Sequence, residues 1–381
     1  MRILLSGGGS AGHINPALAI AETVKQNCPN AEILFVGTEH GKEKELVERE
    51  GYSLAHVQSE GFQRSLKLSN FKALYLMLFS PYMKETTKIL DDFRPDIVIG
   101  TGGYACWPIL AAAARKGIPT ALHESNAKPG LTIQLLQGRA KRIWINFEET
   151  KKHLLSKRSV SHVGNPLRCE FGALSKAEAR RRLEIGEKEF FVLSFGGSMG
   201  AEHVNEAVLD LMKEMENEGG APLRFLHASG TRDAENSKLR FEELGLEGCS
   251  NCALTEYIYD MPLQMAAADL IISRAGAMTL SELALMKKAA ILIPSPYVAA
   301  NHQFYNAKAL ADADAAVLVE ESELKDGSLI RAVRSLLNNG EKIKSLEKNI
   351  EKFARADANR EIWRQILEIT KKKGKGCENG S

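Results

Sequence analysis

The chain has 381 residues, with 50 Lys and Arg against 48 Asp and Glu and a formal net charge of +2. At 44% hydrophobic and 26% charged it has the make-up of an ordinary folded protein, and the near-balance of charge carries no global bias toward nucleic acid. The length exceeds that at which one hydrophobic core keeps growing, so two domains are expected, and no apolar run approaches the ~20 residues of a membrane-spanning helix.

The first apolar run, Ile3-Leu4-Leu5, is too short for a signal-peptide core, and the protein is expected to stay in the cytoplasm. It reads as a strand that meets a glycine cluster, Gly7-Gly8-Gly9-Ser10-Ala11-Gly12, followed by a helical pattern from Pro16 to Val24. Further strands are expected at 33–36, 97–99, 120–122 and 143–145, with helices at 105–115 and 131–137. Such alternation predicts a parallel sheet covered on both faces, an α/β fold.

Val163-Gly164-Asn165-Pro166-Leu167-Arg168 interrupts the pattern, and a second round begins. Phe191-Val192-Leu193-Ser194-Phe195 runs into Gly196-Gly197-Ser198-Met199-Gly200-Ala201 and another helix, repeating the opening. Strands are expected at 223–226, 270–273, 290–293 and 316–319, so the second half reads as another Rossmann-like sheet. The stretch from Leu329 to Thr370 is charged and helical, and Lys371-Lys372-Lys373-Gly374-Lys375 after it reads as a solvated tail. The six cysteines are expected to be free thiols. Cys249 and Cys252 form a C-x-x-C pair without a second ligand pair or a thioredoxin-like context, and read as incidental.

Each glycine cluster sits where a strand ends and a helix begins, which suits a phosphate held by backbone N–H groups and the helix dipole. The first cluster places Gly7, Gly9 and Gly12 at dinucleotide-binding spacing, but the next strand ends Val36-Gly37-Thr38-Glu39 with no acidic ribose anchor in place, which disfavours an NAD enzyme. In the second half Ser273-Arg274-Ala275-Gly276-Ala277-Met278-Thr279-Leu280-Ser281-Glu282 follows a strand and opens a helix. The N–H groups of Ala277, Met278 and Thr279 suit a diphosphate, and a carboxylate one turn on suits the paired hydroxyls of a ribose. The alternative is a capping box, Thr279-x-x-Glu282, that merely closes the helix start.

Six ordered motifs carry a resemblance over almost the whole chain: GGGSAGHINPALAIAE near the start, GTGGYACWP at 100–108, HESNAKPGLT at 123–132, GNPLR at 164–168, FGGSMGA at 195–201 and SRAGAMTLSELALMKKAAILIPSPYVAANHQFYNAKAL at 273–310. Together they resemble the bacterial family of N-acetylglucosaminyltransferases that convert lipid I to lipid II, hexosyltransferases of family 28. The resemblance implies a GT-B architecture, two Rossmann-like parallel-sheet domains facing across a cleft. The expected division is 1–163 for the acceptor and membrane-facing domain, 164–352 for the UDP-N-acetylglucosamine domain, and 353–381 for a helix packing back on the first domain plus the basic tail. It also implies a role in peptidoglycan synthesis, and so in cell shape and division, at the cytoplasmic side of the inner membrane, with cell-wall synthesis proteins as partners.

By this resemblance Glu282 meets the ribose, Ile258 borders the uracil through its backbone, and Arg168, Ser198 and the turn of Ala277, Met278 and Thr279, with Leu280 and Ser281 beside it, face the diphosphate. Gln303 lies near the sugar. Asn126 and the Ser10-Ala11-Gly12 loop approach the donor from the first domain, and Gly102, Gly103 and Tyr104 form the acceptor side. The reaction implied is a single inverting displacement by the 4-hydroxyl of the muramoyl sugar on undecaprenyl-linked muramoyl-pentapeptide. His13 is the first choice for the base, with a histidine that merely orients the loop as the alternative, and His123 and Glu124 are held in reserve. No Asp-x-Asp step accompanies the diphosphate loops, so no tightly bound cofactor and no essential metal are expected at the donor site. Ala11 and Met199 depart from the family pattern, which commonly has glycine and glutamine at these positions.

Phe71, Leu74, Tyr75, Leu78, Phe79 and Tyr82 recur at helical spacing, with Arg64, Lys67, Lys72, Lys84 and Lys88 around them. Such a stripe is either core or, together with Trp107, a patch that touches anionic lipid, as the family's peripheral membrane attachment implies. Two rival readings share the donor chemistry: a UDP-N-acetylglucosamine 2-epimerase, and a catalytically idle UDP-sugar-binding partner.

Overall fold

The computed structural model describes residues 1–9, 11–39, 43–57, 82–155, 159–218, 223–298 and 301–370. In chain order the first half runs β1 (Arg2–Ser6), α1 (Ala11–Asn27), β2 (Glu32–Gly37), α2 (Glu43–Arg49), β3 (Ser53–His56), α3 (Tyr82–Phe93), β4 (Ile97–Gly100), α4 (Cys106–Arg115), β5 (Thr120–Glu124), α5 (Leu131–Leu136), β6 (Arg142–Ile145) and β7 (Val160–His162). The second runs α6 (Lys176–Arg182), β8 (Phe190–Phe195), α7 (Glu202–Glu218), β9 (Leu223–Ala228), α8 (Ala234–Glu243), β10 (Cys252–Thr255), α9 (Met261–Ala267), β11 (Leu270–Ser273), α10 (Ala277–Leu285), β12 (Ala290–Leu292), α11 (His302–Asp312), β13 (Val317–Leu318), α12 (Ser328–Leu337), α13 (Gly340–Ile350) and α14 (Ala358–Thr370). Among the described residues no helix is long and apolar enough to cross a membrane.

The chain divides into two compact units, Met1–Arg168 with Arg355–Ser381, and Cys169–Ala354. The first break falls after Arg168 rather than at 163/164, because the Asn359 side chain accepts from the Leu167 N–H at 3.1 Å and donates to its carbonyl at 2.7 Å. That pair ties the linker to α14, which belongs to the first unit.

In the first unit the strands lie in the order β3-β2-β1-β4-β5-β6-β7, all parallel. Ile3 and Leu5 point to the side covered by α1 and α14, whereas Leu4 points to the side covered by α4. A strand buried on both faces has to be apolar throughout, which is why β1 reads as a continuous run. Ile362 and Ile366 of α14 enter this core, and the buried Trp144 indole donates to Gln365 at 2.8 Å. Helix α1 begins at Ala11, earlier than Pro16, which lies inside it at the sixth position and, having no N–H, removes the intrahelical bond to Gly12 O.

The second unit repeats the plan in the order β10-β9-β8-β11-β12-β13, again parallel. Leu270 and Ile272 pack toward α7, and Ile271 toward α9 and α10. Cys106, Cys169, Cys249 and Cys252 are free, and burial pushes the Cys252 thiol up to about 12, so the C-x-x-C pair stays protonated and inert. Cys28 departs from the expectation of free thiols, being disulfide-bonded.

Candidate functional site

In a doubly wound sheet, ligands bind at the carboxyl ends of the strands where the winding reverses. In the first unit that point lies between β1 and β4, so the loop after Ser6 meets the loop after Gly100, and Gly8 N–H donates to Gly102 O at 3.3 Å. In the second it lies between β8 and β11, which puts the Ser198 loop beside the start of α10.

His13 stands in the first turn of α1 at the first reversal. Its Nδ1 lies 3.2 Å from Thr101 O, and a carbonyl can only accept, so Nδ1 carries the hydrogen. With Nδ1 as the donor, Nε2 is the nitrogen that carries the lone pair whenever the ring is neutral, the form a general base needs. Thr101 Oγ1 also donates to His13 O at 2.6 Å, holding the backbone as well as the ring. Gly102 allows this fit: at φ +110° a Cβ there would lie 2.5 Å from His13 Nδ1. Two residues that motif reading passed over build this loop. Thr101 clamps His13, and Glu43, 1% exposed, accepts the Gly9 N–H at 3.1 Å and the Thr38 hydroxyl at 3.3 Å.

The reserve bases are placed otherwise. His123 is fully buried, donates through Nε2 to Gly164 O at 3.1 Å, and is pushed down to about 4 by desolvation. Glu124 is 4% exposed and both its oxygens are taken, Oε1 by the Asn126 N–H at 2.9 Å and amide at 3.1 Å, Oε2 by the Gly130 N–H at 2.8 Å. Both side chains brace the site and neither is open to a substrate hydroxyl. Asn126, which Glu124 holds, is half-buried, and Thr132 anchors Gly103 by donating to its carbonyl at 3.0 Å; Tyr104 is half-buried beside it. Ala11 is the first residue of α1 and its φ is not positive, so its methyl group carries no backbone strain. Ser10 lies outside the described residues.

In the second unit α10 starts at Ala277 with Gly276 as its N-cap and no side-chain cap. Thr279 is thus inside the helix, and the capping-box alternative fails. The first intrahelical bond is Leu280 N–H to Gly276 O, so the N–H groups of Ala277, Met278 and Thr279 precede it and aim out of the positive end of the helix dipole. Leu280 is 4% exposed and faces the core, and the Ser281 hydroxyl donates back to Ala277 O at 3.1 Å, so any contact from Leu280 is through its backbone. Glu282 is half-buried, its carboxylate has no hydrogen-bond or ionic partner among the described residues, and the group is pushed up to about 7 by desolvation. A carboxylate kept unpaired in such surroundings is poised for a ligand with hydroxyl donors.

Ile258 buries its side chain in the core at 6% exposed, while neither its N–H nor its C=O is engaged among the described residues. Gln303 Oε1 accepts the Ser295 N–H at 2.9 Å. Met199 is exposed; its carbonyl accepts the Arg232 N–H at 3.3 Å, and its Sδ lies 4.0 Å from the Thr231 hydroxyl. Arg168 falls in the first unit, where it donates to Glu50 at 3.1 Å. One Asp-x-Asp does occur in the chain, Asp312-Ala313-Asp314, but at the C-terminal end of α11, where Asp312 pairs with Lys308 and Asp314 with Lys342.

Of the expected membrane patch, Phe71, Leu74, Tyr75, Leu78, Phe79 and the side chain of Tyr82 lie outside the described residues. Trp107 drops out of it: at 7% exposed, it packs with Leu110, Ala111 and Leu122.

Residues 3–145 match the glycosyltransferase family 28 N-terminal domain and residues 191–362 its C-terminal domain. Over 376 residues the chain is 40% identical to the UDP-N-acetylglucosamine–N-acetylmuramyl-(pentapeptide) pyrophosphoryl-undecaprenol N-acetylglucosamine transferase of Acetivibrio thermocellus, covering 99% of this chain and 100% of that one. Among solved structures, MurG of Acinetobacter baumannii superposes with a TM-score of 0.71 at 25% identity, over 96% of this chain and 99% of that one. The UDP-GlcNAc 2-epimerase of Neisseria meningitidis bound to UDP-GlcNAc reaches 0.65 at 15% identity, over 97% and 100%, a likeness of fold alone. With both domains matched and a relative this similar along nearly its whole length, the chain belongs to glycosyltransferase family 28 and has its GT-B fold.

Proposed function

We propose that the chain moves N-acetylglucosamine from UDP to the 4-hydroxyl of an N-acetylmuramoyl-pentapeptide carried on undecaprenyl diphosphate, the step that makes lipid II in peptidoglycan synthesis. The observation that carries this reading is 40% identity over 376 residues to a relative named for that transfer. The epimerase shares only the fold, at 15% identity.

The geometry supports a single inverting displacement. The acceptor oxygen bonds to the anomeric carbon as His13 Nε2 takes its proton, and the bond from that carbon to the diphosphate breaks with its electrons leaving on UDP. In the second unit Glu282 takes the ribose hydroxyls, the open backbone of Ile258 the uracil, and the first turn of α10 the diphosphate, with Ser198 beside it. Gln303 reaches the sugar. Arg168 helps neutralise the leaving charge, and no metal ion is required there: the only Asp-x-Asp step is engaged with lysines at the far end of α11. Activity that disappears on exhaustive chelation and returns with magnesium overturns that last point.

The enzyme works as a peripheral protein on the cytoplasmic membrane face. Lys84 and Lys88 of α3, with Arg115 of α4 and Lys116 just after it, line one open groove with Asp91, to which Lys116 is paired at 2.6 Å, and the excess of basic side chains suits anionic lipid. The test is UDP release from UDP-N-acetylglucosamine with and without a lipid-linked muramoyl-pentapeptide. Release that requires the acceptor supports transfer; 2-epimerised sugar without acceptor, or no turnover in either case, overturns it.

A further inference from the structure

Behind the Ser198 loop the second unit holds a buried chain of polar groups that the reaction does not use directly. Asn205, the fourth residue of α7 and 1% exposed, donates its two Nδ2 hydrogens to Ser229 O at 2.9 Å and Asp233 Oδ2 at 2.8 Å, with Ser237 Oγ 3.2 Å from the same nitrogen. A carbonyl and a carboxylate can only accept, so the orientation of the amide is fixed and Oδ1 faces His227 Nε2 at 3.1 Å. His227, fully buried on β9, therefore donates from Nε2 and accepts at Nδ1 from Ser194 Oγ at 2.9 Å. Desolvation pushes its ring down to about 4, so this neutral tautomer persists at working pH.

The chain ends at the loop. A Cβ on Gly200 would lie 2.1 Å from Ser229 O, and one on Gly230 would lie 2.0 Å from Gly200 N, so the two backbones rest directly on each other. The remaining ties are long: Thr231 N–H to Ser198 O and Arg232 N–H to Met199 O, both 3.3 Å. The carbonyl on which Gly200 rests is the one that Asn205 holds. On its other side Ser229 N–H donates to Thr255 O and Gly230 N–H to Glu256 O, both 3.0 Å, which leads to the backbone of Ile258. One amide thus sets the strand exits at 198–200, 229–232 and, through them, 255–256.

We propose that Asn205, oriented by His227, is a positioning residue for the donor side of the reaction: through the Ser229 carbonyl it fixes where the Ser198 loop meets the donor diphosphate. This rests on the donor-site reading given above. A buried network kept only for stability would weaken donor and acceptor kinetics together as the fold loosens. A positioning network changes the donor terms alone.

The experiment compares Asn205→Ala, Asn205→Asp and His227→Gln with the full chain, measuring KM for UDP-N-acetylglucosamine, KM for the lipid-linked acceptor, kcat, and the melting temperature. Asn205→Asp keeps the shape and the acceptor toward His227 but loses the donors to Ser229 O. Both Asn205 variants are expected to lose on the order of tenfold or more in kcat/KM for the donor, with acceptor KM unchanged. His227→Gln, which keeps a donor toward Asn205, is expected to lose less. If Asn205→Ala does not fold, Asn205→Asp against His227→Gln carries the same comparison. Unchanged donor kcat/KM in the folded variants, or equal losses for donor and acceptor that follow the melting temperature, overturn the proposal. Glu282→Ala separates the two layers: if it abolishes UDP binding while the Asn205 variants keep full donor affinity and rate, the positioning role alone fails. If Glu282→Ala binds UDP as tightly as the parent, the donor-site reading beneath it fails.

Discussion

Glu124 Oε2 accepts the Gly130 N–H at 2.8 Å and so closes the loop from Ser125 to Gly130 on a buried carboxylate. Its other oxygen takes the Asn126 N–H and amide, so every acceptor this side chain offers toward the loop is in use. Glu124→Gln presents an amide NH2 to one of these N–H groups and leaves it unsatisfied, at a cost of about 1–3 kcal/mol. The melting temperature is expected to fall, and activity with it as Asn126 shifts. The pH profile of kcat in the surviving activity keeps its acid limb; loss of that limb makes Glu124 the base.

His13 and His123 separate on the same measurement. His13→Asn keeps a donor toward Thr101 O but has no second ring nitrogen, so kcat is expected to fall roughly 10²- to 10⁴-fold with little change in melting temperature. His123→Asn is expected to lower the melting temperature and leave the shape of the pH–rate profile as it was, because its ring is fully buried and bonded to Gly164 O. The reverse pattern exchanges their roles.

With Glu282 on the donor ribose, as proposed, donor binding is expected to depend on pH. Ribose hydroxyls donate to the ionised carboxylate, and burial pushes this group up to about 7, so the better acceptor is lost as pH falls through that value. Titration calorimetry with UDP is expected to show affinity dropping several-fold between about pH 8 and about pH 6, and Glu282→Gln should bind more weakly with a flat profile. Equal affinity across that range in the parent chain removes Glu282 from the ribose.

Fold stability has its own acid window. His123 and His227 titrate near 4 when folded and near 6.5 when exposed, so between these values the unfolded chain takes up protons that the folded chain refuses. Their contribution is intact above about 6.5 and lost progressively as pH falls to about 4, on the order of 3 kcal/mol for each ring. Urea melts across this range should show the decline, and His227→Gln should remove roughly half of it. A parent stability that is flat from pH 6.5 to 4 contradicts the account of both rings.

The strands that composition alone reveals are those buried on both faces, such as β1, β4, β5, β8 and β11, because double burial demands an unbroken apolar run. Three strands escape such reading: β3, β7 and β10. All three lie at sheet edges and none is fully buried, so Ser53, Ser161 and Thr255 sit in them without penalty. The site divides in a similar way. Glycine runs at strand ends announce the loops of His13 and Ser198, and the absence of a side-chain cap at Gly276 removes the capping-box reading of Glu282. What holds those loops is not local. Thr101 reaches His13 across 88 positions and Glu43 reaches Gly9 across 34, contacts that exist only once β1, β2 and β4 lie side by side. Asn205 and His227 likewise become partners only through the pairing of β8 with β9.

The most direct test is the structure of the product. Purified chain incubated with UDP-N-acetylglucosamine and a short-prenyl muramoyl-pentapeptide diphosphate should yield, by NMR of the released disaccharide, N-acetylglucosamine joined in the β configuration to the 4-position of the muramoyl sugar, with one UDP freed for each linkage. An α linkage, a different position, or free or epimerised sugar in place of a disaccharide contradicts a single inverting transfer to that hydroxyl.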